Sequence, residues 1–342
     1  MRGLIFGFAG ILTLSVAVSA YSQEIIETKT HRLEIVADGV YFATGNGALH
    51  TMSNALIIER DDDIVLVDSH ITPSAGRALL ESIRTVSDKP VTTLINSHFH
   101  YDHSYGVPAF GDIQIIGHEY TREKLSHEPL NDPTYQFSLT RFNNTLAALE
   151  ARLADTGDPT ERAEIQSRIE YWQAHIKAQE ENDPAPPTIS MSDRMTLFAG
   201  GREIQIHFFG RAHTGGDVAV YLPQEKIVFT GDMLLGRPSF MGDGYVSEWS
   251  QTLENLKQLD FELILPGHGP AFTDRERINH IQAYYRDFNT EILRLKEAGL
   301  SAEEAAARAD LRAYKNTLGI NQLGADLRAV KRVYALKNKT AD

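Results

Sequence analysis

The chain has 342 residues, enough for one large domain or two modest ones, with the 42% apolar and 23% charged content of a protein that buries a core. A formal net charge of -13 excludes the basic surface that nucleic acid or anionic lipid requires. With no cysteine, disulfide frameworks, thiol catalysis and lipid attachment at a processed N-terminus are excluded too.

The first twenty residues, MRGLIFGFAGILTLSVAVSA, carry one early cation, a short apolar run, and small residues at Val18 and Ala20. This predicts a secretory signal over 1–20, cut after Ala20, and a periplasmic or secreted protein. The run is shorter than the roughly 20 residues of a spanning helix, so no stable membrane insertion is expected.

Residues 21–118 read as a first strand-rich half. GVYFAT, NALIIE and DIVLVD are strand-like, and the acids Asp61, Asp62 and Asp63 predict a solvated hairpin tip between the last two. A helix follows, with Ala75, Leu79, Leu80 and Ile83 at core spacing. VTTLI leads into INSHFHYDHSYG, and IQIIGH is the next strand.

Over 119–187 the pattern changes. Phe142, Leu146, Leu149 and Leu153 repeat at helix spacing, as do Ile165, Ile169, Trp172 and Ile176, with DTGDP between the runs. This predicts an inserted helical hairpin, either a roof over a pocket or a dimer contact. Strands resume over 188–273 with MTLF, EIQIHFF, VAVYL, KIVFTGD and FELILPGHG, interrupted by a helix in SEWSQTLENLKQL. Residues 274–342 form a helical extension, in which Ser301 and Glu304 make a capping box.

The chemistry concentrates in four places. His98, His100, Asp102 and His103 crowd the loop after VTTLI, and His213, Asp232 and His268 lie in GRAHTGGD, FTGDML and LPGHGP. Each segment falls at a strand end or in a glycine-bearing loop, where side chains project into a cleft. Taken singly they are weak signals.

Together, in this order, they resemble the metallo-β-lactamase superfamily, whose pattern is H-x-H-x-D-H followed by separated His, Asp and His. The resemblance runs from about Gly39 to Pro270, hairpin excepted. It implies an α/β fold, the αββα sandwich, with the site at one edge between two sheets. It further implies that His98, His100 and His213 hold one metal, that Asp102, His103 and His268 hold a second, and that Asp232 bridges them. Asp68 takes the position that braces the ligand loop, or is an ordinary strand-ending acid. The implied cofactor is zinc, two ions per chain, although imidazole and carboxylate also suit iron or manganese. Two such ions share a water and lower its pKa from about 15.7 toward 7. The implied reaction is therefore hydrolysis of a small molecule, an ester, lactone, thioester or β-lactam, by a metal-held hydroxide, with Asp102 orienting it and relaying its proton.

The chain departs from the best-known lactamases at two positions. Asp232 stands where they have cysteine, and Leu235 where they have a lysine that holds the drug's carboxylate. Arg237 is the nearest cation, and Tyr101 is expected to face the cleft. The loop ATGNGALHTMSN is placed as a flap, with His50 either touching substrate or facing solvent. Two other readings of the same residues stay open: a mono-iron oxidoreductase resembling persulfide dioxygenases, and a non-catalytic binding or cofactor-maturation protein.

Overall fold

The structure, a computed structural model, describes residues 24–339. The export signal expected over 1–20 lies outside them. In the first sheet β1 (Ile25–Glu27), β2 (His31–Ala37), β3 (Val40–Gly45), β4 (Ala55–Glu59) and β5 (Ile64–Val67) run antiparallel in chain order. There β6 (Val91–Ile95), β7 (Gln114–His118) and β8 (Ile189–Met191) add in parallel. The second sheet holds β9 (Arg194–Ala199), β10 (Arg202–His207), β11 (Ala219–Leu222) and β12 (Ile227–Gly231), antiparallel in order, with β13 (Leu263–Pro266) parallel to β12.

Alternation along the strands explains the layers. In β5, Val65 and Val67 face the core shared with the second sheet, while Ile64 and Leu66 face outward. In β12, Ile227 and Phe229 point inward and Val228 outward. Successive side chains take opposite faces, so a run apolar throughout is a strand covered on both sides.

The outer faces are covered by helices. On the first sheet α1 (Pro73–Ile83) buries Leu79 and Ile83, and its N-cap Thr72 Oγ1 accepts from Ala75 N at 3.1 Å. After β6 comes one turn, α2 (Tyr101–Ser104), and after β7 comes α3 (Glu119–Ser126). The hairpin is α4 (Pro133–Asp155) and α5 (Pro159–Ala178), each started by an aspartate N-cap and a proline, Asp132–Pro133 and Asp158–Pro159. Leu149, Ile165 and Ile169 form its distal seam, while Tyr135 and Phe142 pack with Phe99, Tyr101 and Tyr105 of the ligand loop.

Against the second sheet lie α6 (Val246–Leu256), α7 (Glu276–Glu297), α8 (Ala302–Arg308) and the helix Leu327–Lys339. Trp249 of α6 stacks on Tyr285 of α7 with ring centroids 4.1 Å apart. The capping box of α8 is complete: Glu304 N donates to Ser301 Oγ at 3.2 Å, and Ser301 N to Glu304 Oε2 at 2.9 Å. The layering is αββα, with the C-terminal helices part of the core. Among the described residues no helix is long and apolar enough to cross a membrane.

Strands β1, β2 and β8 add to the runs read from the sequence, and β2 buries His31, Leu33 and Val36 with Ile35 and Ala37 half-buried. One local expectation is corrected. The acidic tip is only partly solvated. Asp61 and Asp62 are exposed, but Asp63 takes the Arg60 guanidinium at 2.7 and 2.5 Å and the Thr92 hydroxyl.

Candidate metal centre

The parallel pairs β5/β6 and β12/β13 end on the same edge of the sandwich, and the candidate residues sit just beyond those ends. Asp68 follows β5, His98 follows β6, Asp232 follows β12 and His268 follows β13; His213 comes from the loop between β10 and β11. The chain extends through His98 and His100, then turns into α2, which carries Asp102 and His103.

All seven residues converge. Ligand atoms of His98, His100 and His213 lie within 4.8 Å of one another, and so do those of Asp102, His103 and His268. Asp232 lies between the two groups. Its Oδ1 is 3.4 Å from His103 Nε2, and its Oδ2 is 3.6 Å from His213 Nε2 and 3.3 Å from His268 Nε2. Gly267 is required here, because a Cβ would collide with Asp232 Oδ1 and stand 2.8 Å from His103 Cε1.

What lies behind each imidazole decides what it presents in front. His103 Nδ1 donates to Asp68 Oδ2 at 2.7 Å, and His100 Nε2 to Asp243 Oδ2 at 3.1 Å. His213 Nδ1 donates to the Phe240 carbonyl at 2.8 Å, and His268 Nδ1 to the Met52 carbonyl at 2.9 Å. Ser97 Oγ donates to Asp68 Oδ2 at 2.7 Å and so accepts from His98 Nδ1 at 3.0 Å. Each acceptor is placed to take a proton from the far ring nitrogen, and in the neutral imidazole that tautomer leaves a lone pair facing inward.

The inward nitrogens are close. His100 Nδ1 stands 2.8 Å from His213 Nε2, and His103 Nε2 stands 3.2 Å from His268 Nε2. His98 Nε2 and Asp232 Oδ1 are buried with no hydrogen-bond partner. Lone pairs this near, in a buried site, repel unless a cation lies between them. Protons satisfy only part of the cluster. Burial drives the His98 and His213 imidazoles down, the latter to about 4, whereas neighbouring carboxylates outweigh burial at His100, His103 and His268 and raise them. Burial alone would raise the Asp102 carboxyl, yet His103 and His268 outweigh it and hold it at about 2. The donor set and its polarity fit divalent metal.

Asp68 does brace the loop: besides His103 and Ser97 Oγ, its Oδ1 accepts Ser97 N at 2.8 Å. It does so from a left-handed backbone, φ 62°, which is strained for a residue with a side chain. The sequence reading did not assign Asp243, which also accepts Thr134 Oγ1 at 2.6 Å, tying α4 to His100. Nor did it assign Asp217, which accepts Thr214 N and Oγ1 and whose carboxyl burial pushes up to about 6. A lone acid in a glycine loop gives no spacing signal for either.

The sequence profile of the metallo-β-lactamase superfamily matches residues 50–268, a span holding all seven candidates. The chain belongs to the metallo-β-lactamase superfamily. Within the superfamily it is similar to the 2,4-dinitroanisole O-demethylase subunit alpha of Nocardioides sp. (strain JS1661), 23% identical over 78% of this chain and 65% of that one. It is similar to a linear primary-alkylsulfatase of Pseudomonas sp. (strain ATCC 19151), 22% identical over 75% and 49%, respectively. A metallo-beta-lactamase type 2 of Bacillus sp. (strain 170) is 23% identical over 75% and 84%. The chain thus spans 65% and 49% of the length of the first two. Among solved structures, the stereoselective inverting sec-alkylsulfatase of Pseudomonas sp. superposes with TM-score 0.63 at 18% identity, over 89% of this chain and 50% of that one. A metallo-beta-lactamase of Pontibacter korlensis gives TM-score 0.53 at 18% identity, over 77% and 99%. These likenesses carry the superfamily fold.

A cleft of about 300 Å³ opens over the superfamily's metal edge. Tyr101, Leu235 and Arg237 line it, with Arg141 and Ser138 of α4 and Arg328 of the C-terminal helix. Tyr101 is pinned through its hydroxyl to Ser138 Oγ at 2.6 Å. His50 is neither a cleft residue nor solvent-facing. It turns into the hairpin, its Nδ1 2.9 Å from Tyr171 Oη and its ring 4.1 Å from that of His175. The aromatic cluster of α4 and α5 offers it more buried contact than the cleft does. From the flap it is the Met52 carbonyl that serves the site.

Proposed function

We propose that this protein is an exported metal-dependent hydrolase acting on a small-molecule ester, lactone, thioester or β-lactam, with two zinc ions per chain. The observation that carries the reading is the set of five imidazoles, each with a hydrogen-bond partner behind one ring nitrogen and the other nitrogen turned inward beside Asp102 and Asp232. His98 Nε2, His100 Nδ1 and His213 Nε2 would hold one ion. Asp102, His103 Nε2 and His268 Nε2 would hold the other, and Asp232 would touch both. When bound, the ions supply an activated water and polarise the bond to be cut.

The chain's own groups do the rest. Asp102, held ionised by His103 and His268, would orient that water and take up its proton. Tyr101, whose hydroxyl burial pushes up, stays protonated and is fixed by Ser138. Leu235 and Phe240 give the cleft an apolar wall. Leucine stands at that wall where the best-known lactamases have their lysine, so a β-lactam carboxylate would depend on Arg141, Arg237 and Arg328 instead. The relatives bear names for different reactions, so the substrate is argued from this cleft alone.

Two readouts test this. Kinetics on nitrocefin, a carbapenem, a lactone and a glutathione thioester should show hydrolysis that chelator abolishes, and chelator-insensitive turnover would overturn the reading. Lactam turnover lost in Arg237→Ala would make Arg237 the replacement for the missing lysine. Intact-mass measurement on exported protein should find a chain beginning near Tyr21, and a retained Met1 in a membrane fraction would replace the signal with an anchor.

A further inference from the structure

We propose that the substrate carries an oxyanion, a carboxylate, sulfate or phosphate group, held at the mouth of the cleft by Arg141, Arg237 and Arg328; this rests on the hydrolase reading above. The three arginines reach one cleft from three separate parts of the chain. Arg141 comes from α4, Arg237 from the loop after β12, and Arg328 from the C-terminal helix Leu327–Lys339. Both elements added to the sandwich therefore contribute a cation to it.

The charge balance is unusual for this molecule. The chain carries -13 overall, yet apart from Asp102 and Asp232 no described acid lines the cleft. Several surface arginines elsewhere are paired, Arg77 with Glu181, Arg152 with Glu161 and Arg211 with Glu248, while Arg84 and Arg168 stand apart from the cleft without an acid partner among the described residues. The guanidinium groups of Arg141 and Arg237 have no acceptor among the described residues. Like charges converging on about 300 Å³ repel one another, and a bound anion relieves that repulsion.

Arg328 is held ready. Its Nε and Nη2 donate to Asp326 at 3.2 and 2.7 Å, and it lies 4.1 Å from the Phe137 ring and 4.5 Å from that of Phe240. Two aromatic contacts and one carboxylate fix the plane of the guanidinium and leave Nη1 to donate elsewhere. A planar fork held in place binds an oxyanion with little loss of side-chain freedom. The metals attract anions as well, so the test must separate the arginines from the ions.

Hexanesulfonate, which cannot be hydrolysed, is titrated calorimetrically into the zinc-loaded protein, with melting temperatures recorded for each variant. Arg141→Ala, Arg237→Ala and Arg328→Ala should each weaken binding about tenfold or more, with Arg328→Lys intermediate. Unchanged affinity in Arg141→Ala and Arg237→Ala, neither of which breaks a side-chain hydrogen bond or ion pair among the described residues, overturns the proposal and leaves the anion on the metals alone. In parallel, kcat/KM is measured for p-nitrophenyl acetate and for the hemisuccinate, sulfate and phosphate of p-nitrophenol. The anionic-to-neutral ratio should fall in the same variants, and the anion losing most identifies the native group. A panel left wholly uncut, with sulfonate binding still arginine-dependent, rejects the hydrolase reading and keeps the anion site.

Discussion

His103 is held through its Nδ1 by Asp68, 2.7 Å away, with both side chains fully buried. This one contact sets the tautomer of His103, turns its Nε2 toward Asp102, Asp232 and His268, and engages a residue whose backbone is strained. Removing the carboxylate frees the ring to turn and take the other tautomer. Asp68→Ala should weaken binding of the more labile zinc about ten- to hundredfold, with Asp68→Asn intermediate. Competition with a fluorescent chelator reads this, and an unchanged affinity in Asp68→Ala would make Asp68 a strand-ending acid only.

The two groups of ligands should separate by mutation. His268→Ala removes a ligand from the Asp102, His103 and His268 set and leaves His98, His100 and His213 intact. Elemental analysis of protein purified without chelator should fall from about two ions to about one. His98→Ala should do the reverse. Loss of all metal in both variants would show one indivisible site.

Gly267→Ala tests how tightly the centre is packed. The added methyl has no room beside Asp232 and His103. Overpacking of this kind costs about 1–3 kcal/mol, and here it falls on two ligands. Zinc content and chelator-sensitive activity should drop together, with a loss of a few degrees in melting temperature. Full zinc occupancy in this variant would contradict the packing described.

Acid stability should depend on a second histidine pair. His31 Nε2 lies 3.0 Å from His70 Nε2, and burial holds His31 at about 4 and His70 well below its usual value. Both are neutral when folded but take up protons near pH 6.5 when unfolded. Their stabilisation is complete above pH 6.5, shrinks as pH falls, and for His31 is exhausted near pH 4. That loss is on the order of 3 kcal/mol for His31. Melting curves of metal-free protein from pH 7 to 4 should fall more steeply for the wild type than for His31→Leu. Parallel curves would assign the acid lability to other groups.

The candidate cluster was legible because its signal is local. Three histidines and an acid within six residues are a rare composition, and His213, Asp232 and His268 stand in glycine-bearing loops at the ends of apolar runs. The core strands were legible for a similar reason, since β5 and β12 are apolar on both faces. What could not be read depends on distance in space. The carbonyls of Phe240 and Met52 fix two imidazoles, and a backbone atom leaves no trace in residue type. Asp243 meets His100 across 143 positions, and Arg141 and Arg328 reach the cleft from elements that looked like packing helices. β2 was missed because one of its inward positions is a histidine, His31, which breaks the apolar alternation of Leu33 and Ile35. His50 was placed by analogy with a flap, and the aromatic seam of the hairpin claimed it instead.

The central claim, that seven side chains hold two metal ions which make this protein a hydrolase, is tested most directly by zinc titration of chelator-stripped protein while hydrolysis of a p-nitrophenyl ester is followed. Hydrolysis should be absent from the stripped protein and reach its plateau as the second equivalent of zinc is bound, with His268→Ala unable to reach that plateau. Full activity without metal, or with a single iron and no effect of replacing His103, would contradict it.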